Sequence, residues 1–369
     1  MRQEMPVSHE GYCPLFSFYT LIRTACTIRQ FTRGFCIDTA DAVPYNPSVF
    51  NRTTTTNRGT VMAKYAFLFP GQGSQYVGMG RDLKDNFKIA ADVFAEADDA
   101  LGEKLSQLCF DGPEDDLKLT MNTQPAILTV SVAALRVLQQ ESPITPELVA
   151  GHSLGEFSAL VASGTISFAD AVRIVRKRGT FMQEAVPVGV GGMAAILGMD
   201  TDAIETICKE SARGQFVAPA NYNAPGQIVI SGHVEAVKRA AEMAEATGAK
   251  RVALLAVSAP FHSALMKPAA DRLGEALEDI EIGGLDVPVL SNVEADFYSS
   301  KEDVRRLLTR QVDHPVRWIE EMNRMMESGI ENAIEVGPGK VLFGLMRKIS
   351  RAVKMKNVEN TETLKRILE

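Results

Sequence analysis

The chain has 369 residues, of which 46% are hydrophobic, and its 39 basic and 46 acidic residues give a net charge of −7. This balance argues against a nucleic-acid-binding surface, and no apolar run reaches the roughly 18 residues of a transmembrane helix. Five cysteines without a C-x-x-C pair indicate neither a disulfide framework nor a zinc site. The composition therefore predicts a globular protein of a reducing compartment, expected in the cytoplasm.

Residues 1–61 differ in composition from the rest of the chain. They contain six Arg, no Lys and three of the five Cys, and they show no helical or strand period. At Met62 the sequence changes to Met-Ala-Lys-Tyr-Ala-Phe-Leu-Phe, which is typical of a start followed by a first strand. We interpret residues 1–61 as an extension that is disordered or comes from a mis-assigned start. The alternative is an organelle transit peptide, which Glu4 and Glu10 disfavour.

The first predicted strand, 65–69, is followed by the loop Pro70-Gly71-Gln72-Gly73-Ser74-Gln75. A nucleotide-binding interpretation fails, because Tyr76 stands where a dinucleotide fingerprint needs Gly or Ala and no Gly-Lys-Ser/Thr follows. The sequence instead predicts a flexible loop at the carboxyl end of a strand, where α/β proteins build their sites.

Helical periodicity covers 84–109 and 124–139, and the acidic cluster 114–116 between them is predicted as a solvated turn. Next comes Gly151-His152-Ser153-Leu154-Gly155, a G-x-S-x-G pattern between a short apolar run and a helix that stops at Gly164. Such a turn exposes the serine hydroxyl at the end of a sheet, and the free N–H groups at the helix start can stabilise an oxyanion.

The following helix, opened by Ser167 and Asp170 as a predicted capping box, carries Arg178 within its apolar stripe. A buried arginine needs an anion, since an unpaired buried charge is costly. An internal salt bridge or a side chain that reaches solvent would satisfy it, and so would a ligand. Its place on the helix after Ser153 favours the ligand.

Residues 188–257 show the pattern of an inserted β-α-β-β-α-β unit, the ferredoxin-like arrangement. The predicted elements are strand 191–197, helix 201–212, hairpin 216–220 and 227–231, helix 233–247 and strand 251–257.

His262 follows this insert and is the best candidate for the base that serine chemistry needs. The other four histidines are less suited: His9 lies in the extension, His233 starts a helix, His314 is beside Pro315, and His152 adjoins the serine on a sharp turn. The remaining predicted elements are helix 267–279, strand 288–293, helix 301–311, helix 318–328, strand 330–336 and a helix from Lys340, with a solvated tail after Arg347. Alternating strands and helices predict an α/β fold with a mostly parallel sheet in a large domain of 62–187 and 258–369, with 188–257 as the small domain.

Residues 62–369 resemble the bacterial malonyl-CoA:acyl carrier protein transacylase family. The motifs that carry the resemblance occur in the family's order: Phe-Pro-Gly-Gln-Gly-Ser-Gln at 69–75, Gly-His-Ser-Leu-Gly-Glu at 151–156, the Arg178 helix, Ala-Asn-Tyr-Asn-Ala-Pro-Gly-Gln at 220–227, Ala-Pro-Phe-His-Ser at 259–263, Pro-Val-Arg-Trp at 315–318 and Glu-Val-Gly-Pro-Gly-Lys at 335–340. The family has an α/β-hydrolase-like large domain and a ferredoxin-like small domain.

The resemblance implies a Ser153–His262 dyad in which the backbone carbonyl of Gln311 orients the imidazole. It implies that the N–H groups of Gln72 and Leu154 form the oxyanion hole and that Arg178 holds the malonyl carboxylate through a bidentate pair. It further implies that His152, Asn221 and Asn223 shape the pocket. Phe261 resembles the residue of malonyl-selective members, where methylmalonyl-selective ones carry a smaller side chain. Lys250 and Arg251 match positions that dock the acidic carrier protein, and the alternative is that they are simply solvated charges.

The implied reaction passes malonyl from malonyl-CoA to the phosphopantetheine thiol of acyl carrier protein through a malonyl-serine ester, for fatty acid biosynthesis, with polyketide synthesis left open. It needs no metal or redox cofactor, and the protein is expected to be a monomer. A serine esterase or thioesterase is the second enzyme hypothesis, and Arg178 disfavours it because a buried cation does not suit a fatty chain. A catalytically idle scaffold is disfavoured because Ser153 and His262 are both present.

Overall fold

The computed structural model of the protein describes residues 63–257 and 259–369. The predictions for the extension 1–61 lie outside the described residues. The strands are β1 (Tyr65–Phe69), β2 (Pro146–Gly151), β3 (Gly191–Leu197), β4 (Val217–Ala224), β5 (Gln227–His233), β6 (Arg251–Leu254), β7 (Asn332–Val336) and β8 (Lys354–Val358). The helices are α1 (Arg81–Asn86), α2 (Lys88–Leu101), α3 (Leu105–Asp111), α4 (Glu114–Lys118), α5 (Thr120–Glu141), α6 (Gly155–Ala162), α7 (Phe168–Glu184), α8 (Thr201–Ala212), α9 (Val234–Ala246), α10 (Lys267–Glu278), α11 (Glu302–Asp313), α12 (Trp318–Glu327), α13 (Val341–Ile349) and α14 (Thr361–Leu368).

The larger body is built on a parallel sheet in the order β2, β1, β7, β8. Phe67 and Phe69 of β1 belong to a core shared with α5 and α7, and Ala66 and Leu68 belong to a second core shared with α12. Helices therefore cover both faces, which is why the strand is an unbroken apolar run. Phe69 pairs with Gly151 at the carboxyl ends of β1 and β2. The loops that follow these two strands consequently leave from the same edge.

The second sheet is antiparallel and has the strand order β4, β5, β3, β6. Its own core contains Ala194 and Ile196 of β3 and Ile228 and Ile230 of β5, packed on α8 and α9. This is the ferredoxin-like arrangement predicted for the insert, so the predicted fold class is confirmed. The domain boundaries at 187/188 and 257/258 stay a prediction, and the two separate sheets agree with it.

The predictions for the acidic cluster 114–116 and for the tail after Arg347 were wrong. The acidic cluster 114–116 is not a turn but the first turn of α4, where the helix dipole favours carboxylates. The tail after Arg347 is not merely solvated surface, because β8 pairs with β7 and α14 buries Leu364 and Ile367. The exposed lysines of β8 interrupt the apolar run that marks a buried strand, since an edge strand is less completely buried than a central one.

The segment 288–293 was predicted as a strand, and it forms isolated bridges instead. Val289 bridges Val149 of β2, and Leu290 bridges Phe297. The chain then turns, with Ala295 N donating to Ser291 O at 2.8 Å. The strand predicted at 251–257 also ends early, at Leu254. Within the described residues, no helix has both the length and the apolar character needed to cross a membrane.

Candidate active site

The turn between β2 and α6 holds Ser153 in a left-handed backbone conformation. Its φ is 53°, a region that residues other than glycine seldom adopt. A Cβ on Gly151 would lie 1.9 Å from the carbonyl carbon of Gly155, and a Cβ on Gly155 would lie 2.0 Å from Phe69 O. Strand, turn and helix can approach this closely only with glycine on both sides of the serine. The predicted G-x-S-x-G turn is thus formed.

The structure brings Ser153 together with His262, which precedes a 3₁₀ turn at Ala264–Met266. Ser153 Oγ lies 2.8 Å from His262 Nε2, and His262 Nδ1 lies 2.8 Å from the main-chain oxygen of Gln311. Because a carbonyl oxygen can only accept, Nδ1 carries the proton and the Nε2 lone pair faces the serine hydroxyl. This tautomer is the one that can take a proton from Ser153.

His262 is held in its neutral form. Burial, followed by the positive charge of Arg178, lowers the pKa of His262 to about 3. The hydrogen bond to Gln311 O opposes this shift but does not overcome it. At physiological pH the imidazole is therefore unprotonated, as a general base must be before it reacts.

Arg178 reaches from α7 to the nucleophile and is only 1% exposed. Nη1 donates to Gln124 Oε1 at 2.6 Å, and Nη2 donates to Gln311 Oε1 at 2.8 Å and to Ser153 Oγ at 3.2 Å. These partners are neutral oxygens, so the internal salt bridge considered from the sequence is not among its hydrogen bonds. In the described part of the chain, Nε has no hydrogen-bond partner. Burial lowers the pKa of Arg178 to about 10, which leaves it a cation at neutral pH.

The side chain of Gln311 was missed by the sequence analysis, which assigned only its main-chain carbonyl. Its Oε1 accepts from Arg178, and its Nε2 donates to Ser153 O at 2.8 Å and to Glu156 Oε2 at 2.6 Å. Glu156 is fully buried, and burial raises its pKa to about 7. Asn292 and Glu321 extend this network. An asparagine two residues after the apolar pair 289–290 is the one signal in the sequence that could have pointed to this network.

A cavity of about 420 Å³ opens beside Ser153, between the loops that follow β1 and β2 and the strands β3, β4 and β5 of the second sheet. Its wall contains most of the predicted site residues, namely Gln72, His152, Ser153, Leu154, Arg178, Asn221, Asn223, Phe261 and His262. The last residue of β1 contacts the serine turn, where His152 N donates to Phe69 O at 3.0 Å, so the loop after β1 begins beside this turn. Gln311 lies behind His262 and is fully buried.

His152 points away from Ser153, as expected for neighbours on a sharp turn. Its Nε2 lies 2.7 Å from Asn223 Oδ1, and its ring packs edge-on against Trp318 with centroids 5.5 Å apart. An amide oxygen only accepts, so Nε2 carries the proton here. Burial lowers the pKa of His152. The side chain is therefore a neutral part of the cavity wall.

The structure does not bring Lys250 and Arg251 to the cavity. Both are exposed, and Arg251 begins β6 opposite Leu197 at the edge of the small sheet. Among the described residues, no group of three or more His, Cys, Asp or Glu side chains could hold a metal ion.

Comparison with known proteins gives a consistent result. Residues 66–366 match the family model of the acyl transferase domain. The chain is 52% identical over 304 residues to the malonyl CoA-acyl carrier protein transacylase of Bacillus subtilis (strain 168), which covers 82% of this chain and 96% of the relative.

Solved structures agree with this match. An acyl carrier protein S-malonyltransferase from Vibrio cholerae is similar with a TM-score of 0.81 and 45% identity, over 83% of this chain and all of that one (100%). A type II PKS acyl-carrier protein in complex with its malonyl-transacylase gives a TM-score of 0.80 and 49% identity, over 82% and 98% of the two chains. The chain therefore belongs to the acyl transferase domain family, among the malonyl CoA-acyl carrier protein transacylases.

Proposed function

We propose that this protein transfers the malonyl group of malonyl-CoA to the phosphopantetheine thiol of an acyl carrier protein, through an ester on Ser153, in fatty acid biosynthesis. The names of its relatives support the substrate pair, and the complex of one similar transacylase with its carrier protein supports the partner. A serine nucleophile requires no metal or redox cofactor, because the chain itself supplies the groups that the reaction uses.

The observation that carries this proposal is the buried cation beside the nucleophile. Arg178 donates to Ser153 Oγ at 3.2 Å, and its partners are neutral. A malonyl group esterified to this oxygen carries its free carboxylate two bonds beyond the ester carbonyl, within reach of the guanidinium fork. A fatty acyl chain would instead place an apolar group against a buried charge. The esterase or thioesterase alternative is disfavoured for this reason.

The first half-reaction follows from the tautomer of His262. As Ser153 Oγ attacks the thioester carbonyl carbon, its proton moves to His262 Nε2, and the new imidazolium is stabilised by Gln311 O. The N–H groups of Gln72 and Leu154 are the donors assigned to the oxyanion. The C–S bond then breaks, and the coenzyme A sulfur leaves with the proton from Nε2. The result is malonyl-Ser153 and neutral His262.

The second half-reaction is the reverse with a different thiol. His262 takes the proton of the phosphopantetheine thiol, the sulfur attacks the ester carbonyl, and Ser153 Oγ leaves with that proton. The two transfers share one site, so we infer ping-pong kinetics. We assign Lys250 and Arg251 to docking of the acidic carrier, Asn221 and Asn223 to shaping the pocket, and we propose a monomer acting in the cytoplasm.

The experiment that tests this function is mass spectrometry after incubation with malonyl-CoA alone. We expect one malonyl group on the peptide that contains Ser153, and its loss when a holo acyl carrier protein is added. Release of free malonate in place of malonyl carrier protein would instead identify a thioesterase.

A further inference from the structure

Asn292 connects the two sides of the turn that holds Ser153. Its Oδ1 accepts from Ser153 N at 2.7 Å, and its Nδ2 donates to Gly151 O at 2.7 Å. Gly151 O can only accept and Ser153 N can only donate, so only this orientation of the amide satisfies both. The Asn292 side chain is completely buried. One amide thus bridges Gly151, two residues before the nucleophile, and Ser153 itself.

The fold places Asn292 here through the segment that was predicted as a strand. Val149 N donates to Pro288 O at 2.9 Å, and Leu290 N donates to Val149 O at 3.1 Å, so this segment runs parallel to β2. Parallel neighbours end at the same edge of a sheet. Because the chain turns after Leu290, the Asn292 amide lies beside the serine turn.

Further contacts fix the Asn292 amide. Nδ2 lies 3.1 Å from both carboxyl oxygens of Glu321, and the backbone N of Asn292 donates to Glu156 Oε2 at 3.3 Å. Its main-chain oxygen accepts from Arg317 N at 3.0 Å. Glu321 on α12 is completely buried, so its carboxyl is held in place by packing. The polar groups of Asn292 are therefore all engaged on the side of the turn away from the cavity.

We propose that Asn292 is a positioning residue for the nucleophile: its amide, oriented by Glu321, holds Ser153 in the left-handed conformation in which Oγ faces His262. A serine at φ 53° is strained and persists only where its surroundings fix it. Asn292 is not among the residues that line the cavity, so its proposed role is exerted through Ser153 and not through contact with a substrate. This role rests on the proposed function in one respect, because malonyl transfer is the reaction used to measure it.

The test compares Asn292→Leu, which removes both side-chain bonds, with Asn292→Asp, which keeps the acceptor. Asp98→Asn is the matched control, because Asp98 is also buried and hydrogen-bonded but binds Ser106, away from the serine turn. Rapid-quench mass spectrometry measures the rate at which malonyl-CoA acylates Ser153. We expect Asn292→Leu to slow acylation roughly 100-fold with little change in KM. Asp98→Asn should lower Tm and leave acylation unchanged.

The pH profile of Asn292→Asp separates positioning from a general loss of stability. The groups that face this position are Glu156, Glu321, Tyr298, Arg317 and, through Gln311, Arg178. Burial and two neighbouring carboxyls favour the protonated form of the new acid. A protonated aspartate again donates to Gly151 O. The acylation rate of Asn292→Asp, divided by that of the unchanged protein, should therefore be higher at about pH 6 than at about pH 8.5. No such recovery is expected for Asn292→Leu.

Either of two results would overturn the proposal: Asn292→Leu acylated as fast as the unchanged protein, or Asn292→Asp equal to it at both pH values. If the leucine variant does not fold, the aspartate profile alone decides. Failure of the unchanged protein to take up malonyl would reject the proposed function, whereas normal uptake with undiminished variants would reject only the role of Asn292.

Discussion

The guanidinium of Arg178 donates a hydrogen bond to the hydroxyl oxygen of Ser153 across 3.2 Å, from a side chain that is 1% exposed. If this cation holds the malonyl carboxylate, Arg178→Ala should lower kcat/KM for malonyl-CoA. Charge-assisted hydrogen bonds contribute about 1.5–3 kcal/mol each, so losing a bidentate pair predicts a decrease of roughly 100-fold or more. Steady-state transfer to holo carrier protein measures it.

Acetyl-CoA serves as the control substrate for this variant, because its acyl group has no carboxylate for Arg178 to bind. We expect acetyl transfer by Arg178→Ala to be similar to that of the unchanged protein or faster. Arg178→Lys keeps the charge but loses the planar fork, so its rate of malonyl transfer should lie between that of Arg178→Ala and that of the unchanged protein. Undiminished malonyl transfer by the alanine variant would reject the role of Arg178.

The dyad makes a second prediction. Ser153→Ala should take up no malonyl, because it removes the oxygen that lies 2.8 Å from His262 Nε2. His262→Ala should slow uptake by roughly 10²–10⁴-fold, the usual contribution of a general base. His314→Ala is the matched control, since His314 is partly exposed and pairs with Asp313. Equal losses in the two histidine variants would contradict the assignment of the base. Rapid-quench labelling distinguishes them.

Much of this site could be predicted because its signals are local. The G-x-S-x-G pattern requires glycine where β2, the turn and α6 approach each other. A Cβ added to Gly151 or Gly155 would lie 2.0 Å or less from a backbone atom of a neighbouring segment. Arg178 was predicted to face inward from helical periodicity, and it does. The resemblance added the roles of these residues. The ferredoxin-like insert followed from alternating strands and helices, each with a regular apolar period.

What could not be predicted depends on contacts between distant parts of the chain. Asn292 reaches the serine turn from 139 residues away, and only pairing of 288–290 with β2 places it there. Glu156 and Glu321 appear in the sequence as ordinary charged residues in the first turns of helices, yet both are completely buried. Strand β8 was not predicted, because its exposed lysines interrupt the apolar pattern from which strands are recognised.

Phe261, which is 8% exposed, lies in the cavity wall next to the base. Replacing it with serine makes room for one additional methyl group near Ser153. We therefore expect Phe261→Ser to increase the use of methylmalonyl-CoA relative to malonyl-CoA by roughly 10-fold. This is the lower end of the change in kcat/KM that one methylene group usually causes in an apolar pocket. Competition between the two thioesters, read as the ratio of acyl carrier products, measures this. An unchanged ratio would show that another residue excludes the methyl group.

The last prediction concerns pH and the charge of Arg178. Burial and this cation lower the pKa of His262 from 6.5 to about 3, so the base stays neutral as pH falls through the usual histidine range. The reaction of Ser153 with a small phosphonylating reagent should therefore keep its rate between about pH 8 and about pH 5, where an ordinary histidine with its pKa near 6.5 would lose most of it.

Arg178→Gln removes the positive charge that disfavours the imidazolium, so the pKa of His262 should rise and the rate should begin to fall at a higher pH than in the unchanged protein. The phosphonylating reagent carries no carboxylate, so this comparison does not depend on malonyl binding. Lys118→Gln is the control, because Lys118 also lines the cavity but does not contribute to the lowered pKa of His262. A profile for Arg178→Gln that coincides with that of the unchanged protein would mean that burial alone keeps the base neutral.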